Sequence, residues 1–151
     1  MISLTDSIDI RTTPEKIFAW FSRLPEEYMS WHPDHVSCLV VHGSLPEVGS
    51  VIECREYLHG KLHSLRLRIT KVIPDKRIDF EVKGMGRGAF EARVAGDTVR
   101  FVAELDIGPG TPVIGDLFDL IFSLLFGKRI EAMRKHMAEE GRNLKAILES
   151  A

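Results

Sequence analysis

Between residues 36 and 107 the chain runs through short stretches that alternate apolar and polar side chains, each closed by a turn-forming cluster. After Gly108-Pro109-Gly110 the period changes to a helical one and stays so to the end. This arrangement limits the fold more than any other feature. The breaks are Pro46 to Gly49, His59-Gly60, Pro74-Asp75, Gly84 to Gly88 and Gly96-Asp97, and they delimit strands at 36–43, 49–58, 62–73, 77–83, 88–95 and 98–107. A further strand is expected at 2–10, where Ile2, Leu4, Ile8 and Ile10 share one parity. Thr12 or Thr13 can cap the next element, with Pro14 in its first turn and Ile17, Phe18, Trp20 and Phe21 as its apolar face. That predicts a short helix. A second helical turn is expected from Pro25 to Ser30, and Pro33 puts Trp31-His32-Pro33-Asp34-His35 in a loop or helix end.

Seven antiparallel strands with one apolar face need a cover, and the C-terminal helix, expected at about 20 residues, is the only element large enough. The fold class is therefore α+β, a seven-stranded curved antiparallel sheet wrapped on a long C-terminal helix, with two short helices after strand one. At 151 residues the chain is the size of one domain, so a single domain over 1–151 is expected. The order of elements resembles the START/Bet v 1-like superfamily (SRPBCC), the helix-grip fold that includes the polyketide cyclase-like proteins. The resemblance spans essentially the whole chain. It implies a deep cavity between sheet and helix that takes a small hydrophobic molecule.

Composition narrows the partners. A net charge of -2 supplies no broad positive field, so nucleic acid is not expected as a partner. Two cysteines, Cys38 and Cys54, are too few for a disulfide framework, which points to a reducing cytoplasm. The first ten residues have no basic flank and reach Asp6 early, unlike a signal peptide. The apolar run Val113 to Phe126 carries Asp116 and Asp119 and is too short to be a transmembrane segment. It exceeds what a core stripe needs, and either a lid over the cavity or the contact of a homodimer would use it.

The informative residues are the polar ones that periodicity turns inward. In strand 49–58 the inward parity reads Ile52, Cys54, Glu56, Leu58, and in strand 62–73 it reads His63, Leu65, Leu67, Ile69. Glu56 thus faces the apolar side, where a lone carboxylate is costly unless paired, protonated or bound to a cation. His63 follows at the rim. On the last helix the stripe facing the sheet is Met133, His136, Met137, Glu140, Leu144, Ile147, and His136 and Glu140, four apart, converge on one side. Alone, a His-x-x-x-Glu pair reads most simply as a buried hydrogen-bonded couple. With Glu56 and the histidines of the His32-Pro33-Asp34-His35 segment, it becomes a donor set of two imidazoles and two carboxylates suited to zinc or another divalent metal. Ile52, Leu58, Leu65, Leu67, Phe80, Phe101 and Met133 are expected to line or underlie the cavity. The glycines at 84–88 lie between strands, which argues for a hairpin rather than a phosphate cradle.

Tyr28, Trp31-His32-Pro33-Asp34-His35, Glu56 and His136-x-x-x-Glu140 together resemble the diacetylphloroglucinol hydrolase family, a metal-dependent branch of the superfamily. In that family a His, a Glu and a C-terminal His-x-x-x-Glu hold zinc, and a carbon–carbon bond between an acyl group and a phenolic ring is hydrolysed. The resemblance implies His35, Glu56, His136 and Glu140 as metal ligands and Tyr28 near the substrate's ring hydroxyls. His32 could replace His35; as the residue before a proline it is conformationally restricted, which favours His35 as ligand and His32 as a supporting group. His32, His63 and Tyr28 are then the catalytic candidates. The shorter length of this chain leaves the substrate open. Three functions follow as expectations: a metal-dependent hydrolase of a small oxygenated apolar molecule, a noncatalytic carrier of lipid or polyketide, and a metal-free cyclase or dehydratase.

Overall fold

The computed structural model describes residues 2–58, 60–108 and 112–150, with the backbone alone for 112–126. The elements run β1 (Ile2–Ile10), α1 (Pro14–Ser22), α2 (Leu24–Trp31), β2 (His35–His42), β3 (Val51–Leu58), β4 (Lys61–Ile73), β5 (Arg77–Val82), β6 (Gly86–Ala95), β7 (Thr98–Ile107) and α3 (Pro112–Glu149). The strands form one antiparallel sheet in the order β1-β7-β6-β5-β4-β3-β2, so β1 and β2 are its edges. This is the expected helix-grip arrangement.

Local chemistry accounts for the boundaries. Thr13 caps α1 by accepting a hydrogen bond from the Lys16 backbone N–H at 3.3 Å, and Pro14 occupies the first turn. One helix face then buries Ile17, Phe18, Trp20 and Phe21. Three strands begin earlier than the sequence pattern indicates, β4 by a single residue. β2 starts at His35, expected in a loop, because its backbone pairs with Glu56 of β3; β6 starts at Gly86. A side chain at position 86 would collide with the carbonyl oxygen of Asp106 on β7, 1.9 Å from where its Cβ would stand, so glycine lets β6 pair there. At 38 residues α3 exceeds the expected length, since Gly127 continues it instead of dividing it.

The convex face carries ion pairs such as Arg66–Glu53 and Arg68–Glu81, and the concave face is apolar. There α3 buries Ile130 and Met133 against Leu4 of β1 and Ile107 of β7, while Leu144 joins the larger core with Ile10, Trp20, Phe21, Ile52 and Phe101. The expected lid or homodimer contact at 113–126 concerns side chains outside the described residues. Among the described residues no helix is long and apolar enough to cross a membrane.

Candidate metal centre

Sheet and helix do not close on each other completely. Between them lies a cavity of about 550 Å³, walled by Ile52, Leu58, Leu65, Leu67, Phe80 and Met133 as expected, and also by Phe21, Trp31, Met85 and Phe90. Phe101 underlies the cavity where the others line it. It is buried beneath Phe21 and Phe90, whose rings stack on it with centroids 5.9 and 5.6 Å away, so it supports the wall without reaching the space. Phe21 reads in sequence as helix core and Trp31 as part of a loop or helix end, and nothing in their spacing marks either as cavity wall.

Three elements bring the polar residues to one end of this cavity. The β2–β3 register sets His35 opposite Glu56, and α3 lays His136 and Glu140 over both. His35 Nε2 lies 3.1 Å from His136 Nε2, 3.3 Å from Glu56 Oε2 and 3.0 Å from Glu140 Oε2; His136 Nε2 lies 3.5 Å from Glu56 Oε2 and 3.3 Å from Glu140 Oε2. A tetrahedral zinc ion with bonds of about 2.0–2.1 Å requires donor atoms about 3.3–3.4 Å apart. The donor set fits that ion in spacing and in chemistry, since imidazole and carboxylate are ordinary zinc ligands and two carboxylates balance a divalent charge. His35 Nδ1 donates to the Tyr28 carbonyl at 2.8 Å, which fixes the tautomer and turns the lone pair of Nε2 into the cluster.

Burial governs the electrostatics. Glu56 and His136 are each 8% exposed and His35 5%. Desolvation pushes the two histidines downward, but hydrogen bonds and Coulomb attraction from Glu140 and Glu56 outweigh it and raise His35 to about 9 and His136 to about 10. For Glu56 burial acts upward, and hydrogen bonds from His136, His35 and Tyr28 overcome it, holding the carboxyl well below the usual range. The site gathers positive charge around its carboxylates, which is what a cation would otherwise supply.

The remaining candidates divide. Tyr28 donates its hydroxyl to Glu56 Oε2 at 2.7 Å and stacks its ring on His35 at 3.8 Å and 7°. Burial and the neighbouring Glu56 charge hold that phenol far above its ordinary range, so it stays a donor. Its contacts make it a support for His35 and Glu56 as well as part of the wall. His32 is not in the four-donor cluster and does not line the cavity: it is 3% exposed, and its ring lies 4.2 Å from that of His136. Its Nδ1 accepts the Asp34 backbone N–H at 2.9 Å, leaving Nε2 to face Glu139 at 3.7 Å. A looser trio of His32, Asp34 and His136 shares only His136 with the main cluster. His63 lines the cavity, paired in register with Glu56, and stays outside the cluster. Sequence reasoning missed the clamp that places Glu140: Trp31 Nε1–H donates to the Glu140 carbonyl at 3.0 Å, and Asn143 Nδ2 donates back to the Trp31 carbonyl at 2.9 Å.

Residues 1–149 match the family described as "Polyketide cyclase / dehydrase and lipid transport". The chain belongs to this family. Solved structures agree on the fold. A START superfamily protein from Mycobacterium smegmatis superposes with a TM-score of 0.71 at 13% identity, covering 98% of this chain and 97% of that one. The ginseng major latex-like protein 151 from Panax ginseng gives 0.67 at 15%, with 97% of each chain covered. The Aha1 dimer from Colwellia psychrerythraea, a solution structure, gives 0.63 at 18%, covering 99% and 97%. A search of curated proteins by sequence finds no match.

Proposed function

We propose that this family member is a metal-dependent hydrolase acting on a small, largely apolar, oxygenated molecule, with an acylated phenol or related diketone as the substrate class. The observation that carries the reading is the gathering of the His35, Glu56, His136 and Glu140 donors, the printed separations among them running from 3.0 to 3.5 Å, beside an apolar cavity. These four residues would hold zinc or another divalent metal. When bound, such an ion supplies Lewis-acid polarisation of a carbonyl and makes water more acidic.

The chain's own groups do the rest. Phe21, Phe80, Phe90 and Leu67 enclose the apolar ring and exclude water from it. Tyr28 orients Glu56, and the Trp31–Asn143 clamp holds the helical turn that carries Glu140. His63, on the same wall as Glu56, is the group available to deliver a proton to the ring carbon when the bond to the acyl carbon breaks. The choice of His35, Glu56, His136 and Glu140 as metal ligands follows the resemblance to the diacetylphloroglucinol hydrolase family, which does not extend to His63. The test is turnover of a panel of acylated phenols and aryl diketones by zinc-loaded and chelator-stripped protein. Hydrolysis that disappears on stripping and returns with zinc supports the proposal; no turnover by zinc-loaded protein on any member contradicts it.

A second reading, a metal-free cyclase or a carrier of lipid or polyketide, rests on the family's description and on the cavity, whose wall is apolar over most of its extent. Binding of an apolar naphthylamine dye with the same affinity before and after chelation, without turnover, would favour it.

A further inference from the structure

A pair of thiols that the metal reading does not use meets the cavity wall through one of its members. Cys38 of β2 and Cys54 of β3 stand directly opposite each other in the antiparallel register, with their sulfur atoms 3.6 Å apart and both residues buried. Cys54 also lines the cavity, so a molecule small enough to enter reaches its sulfur. The pair lies beside the four-donor cluster: Cys38 is three residues beyond His35, and Cys54 is two residues before Glu56.

We infer that Cys38 and Cys54 form an oxidation site, closed into a disulfide by hydrogen peroxide entering the cavity, and that the closure loosens the metal centre. One sulfur attacks a peroxide oxygen, the O–O bond breaks and hydroxide leaves, giving a sulfenic acid. The second sulfur attacks the first, the S–S bond forms and a second hydroxide leaves. The two thiol protons convert both hydroxides to water. Two thiols and one peroxide thus yield one disulfide and two waters, the sulfurs giving up two electrons that the peroxide takes.

Geometry makes the consequence for the site specific. A disulfide bond of about 2.05 Å requires the sulfurs to close by about 1.5 Å. Opposed residues of an antiparallel pair have Cβ atoms about 4.5–5.5 Å apart, whereas a disulfide holds them at about 3.5–4.5 Å, so the strands must draw together. β2 is the strand that can move, because it is an edge strand with register irregularities on both sides of Cys38, between His35 and Ser37 and between Val40 and His42. His35 moves with it. Metal sites accept changes of only about 0.2 Å in ligand distance, so a displacement several times larger costs affinity.

The coupling rests on the metal reading above; the disulfide does not. The experiment treats reduced, zinc-loaded protein with hydrogen peroxide, then maps thiols and linked peptides by mass spectrometry and measures zinc affinity with a chromophoric chelator. Expected are a Cys38–Cys54 linked peptide and a zinc affinity lower by about tenfold or more, both reversed by dithiothreitol, whereas Cys38→Ala keeps its zinc under the same oxidant. Thiols that survive, or that reach sulfinic acid without linking, would overturn the oxidation site. A linked peptide with unchanged zinc affinity would overturn the coupling. Reduced protein that takes up no zinc overturns the metal reading and the coupling with it, while the linked peptide still decides the disulfide.

Discussion

Tyr28→Phe removes one oxygen atom and separates two roles for this residue. The hydroxyl donates a 2.7 Å hydrogen bond to Glu56 Oε2, and both residues are buried. A hydrogen bond to a charged acceptor contributes about 1.5–3 kcal/mol. Glu56 Oε2 keeps His35 and His136 nearby at 3.3 and 3.5 Å, so the carboxylate is not stranded and the lower half of that range applies to stability. The ring that stacks on His35 remains. The metal centre should feel the change more, since losing a supporting hydrogen bond to a ligand typically lowers metal affinity by about 10–100-fold, or about 1.4–2.7 kcal/mol. The assay is competition for zinc against a chromophoric chelator, with thermal unfolding of the chelator-treated protein beside it. Reduced zinc affinity with only modest destabilisation is expected. An unchanged zinc affinity together with a raised KM for an acylated phenol would refute the reasoning and return Tyr28 to a substrate-contact role.

His35→Ala should abolish stoichiometric zinc binding, because it deletes a donor, whereas His32→Ala, which removes a ring packed behind His136, should lower affinity by about tenfold; equal losses in a zinc titration would contradict the assignment. Zinc affinity should rise with pH between 6 and 9, by about tenfold per unit for each proton displaced, because His35 and His136 are raised to about 9 and about 10 without metal; calorimetry in two buffers of different ionisation enthalpy should detect at least one proton released. In the chelator-treated protein those raised histidines stabilise the fold fully below their ordinary value of 6.5, and that contribution should fade as pH climbs through 9 to 10; denaturant titrations across this window check the sign. Gly86→Ala forces a methyl group against the Asp106 carbonyl and should cost about 2–4 kcal/mol in chemical denaturation, with no such cost expected at Gly96, where nothing stands within 4 Å, beyond the strain of its positive φ.

What the sequence could disclose depended on range. Period-2 alternation located all seven strands, and the 3.6-residue stripe placed His136 and Glu140 on the sheet-facing side of α3 because both signals are local. Glu56 was legible for the same reason, as a carboxylate on an otherwise apolar parity. Between His35 and His32 the only local signal was Pro33; that His35 stands across from Glu56 while His32 packs behind His136 depends on the β2–β3 register and on α3, which local spacing does not reveal. Parity placed Phe101 inward but could not say whether it lines or underlies the cavity, which depends on Phe21 from α1 and Phe90 from β6 filling the space above it. The Trp31–Asn143 clamp joins residues 112 apart, and no spacing rule reaches that far.

The central claim is that His35, Glu56, His136 and Glu140 hold one divalent ion. Zinc analysis of the loaded protein combined with X-ray absorption at the zinc edge tests it most directly. The account predicts one ion per chain, with two imidazole nitrogens and carboxylate oxygens at about 2.0–2.2 Å. Protein that remains free of metal after incubation with zinc, or an ion whose shell contains sulfur at about 2.3 Å from Cys38 and Cys54, would contradict it.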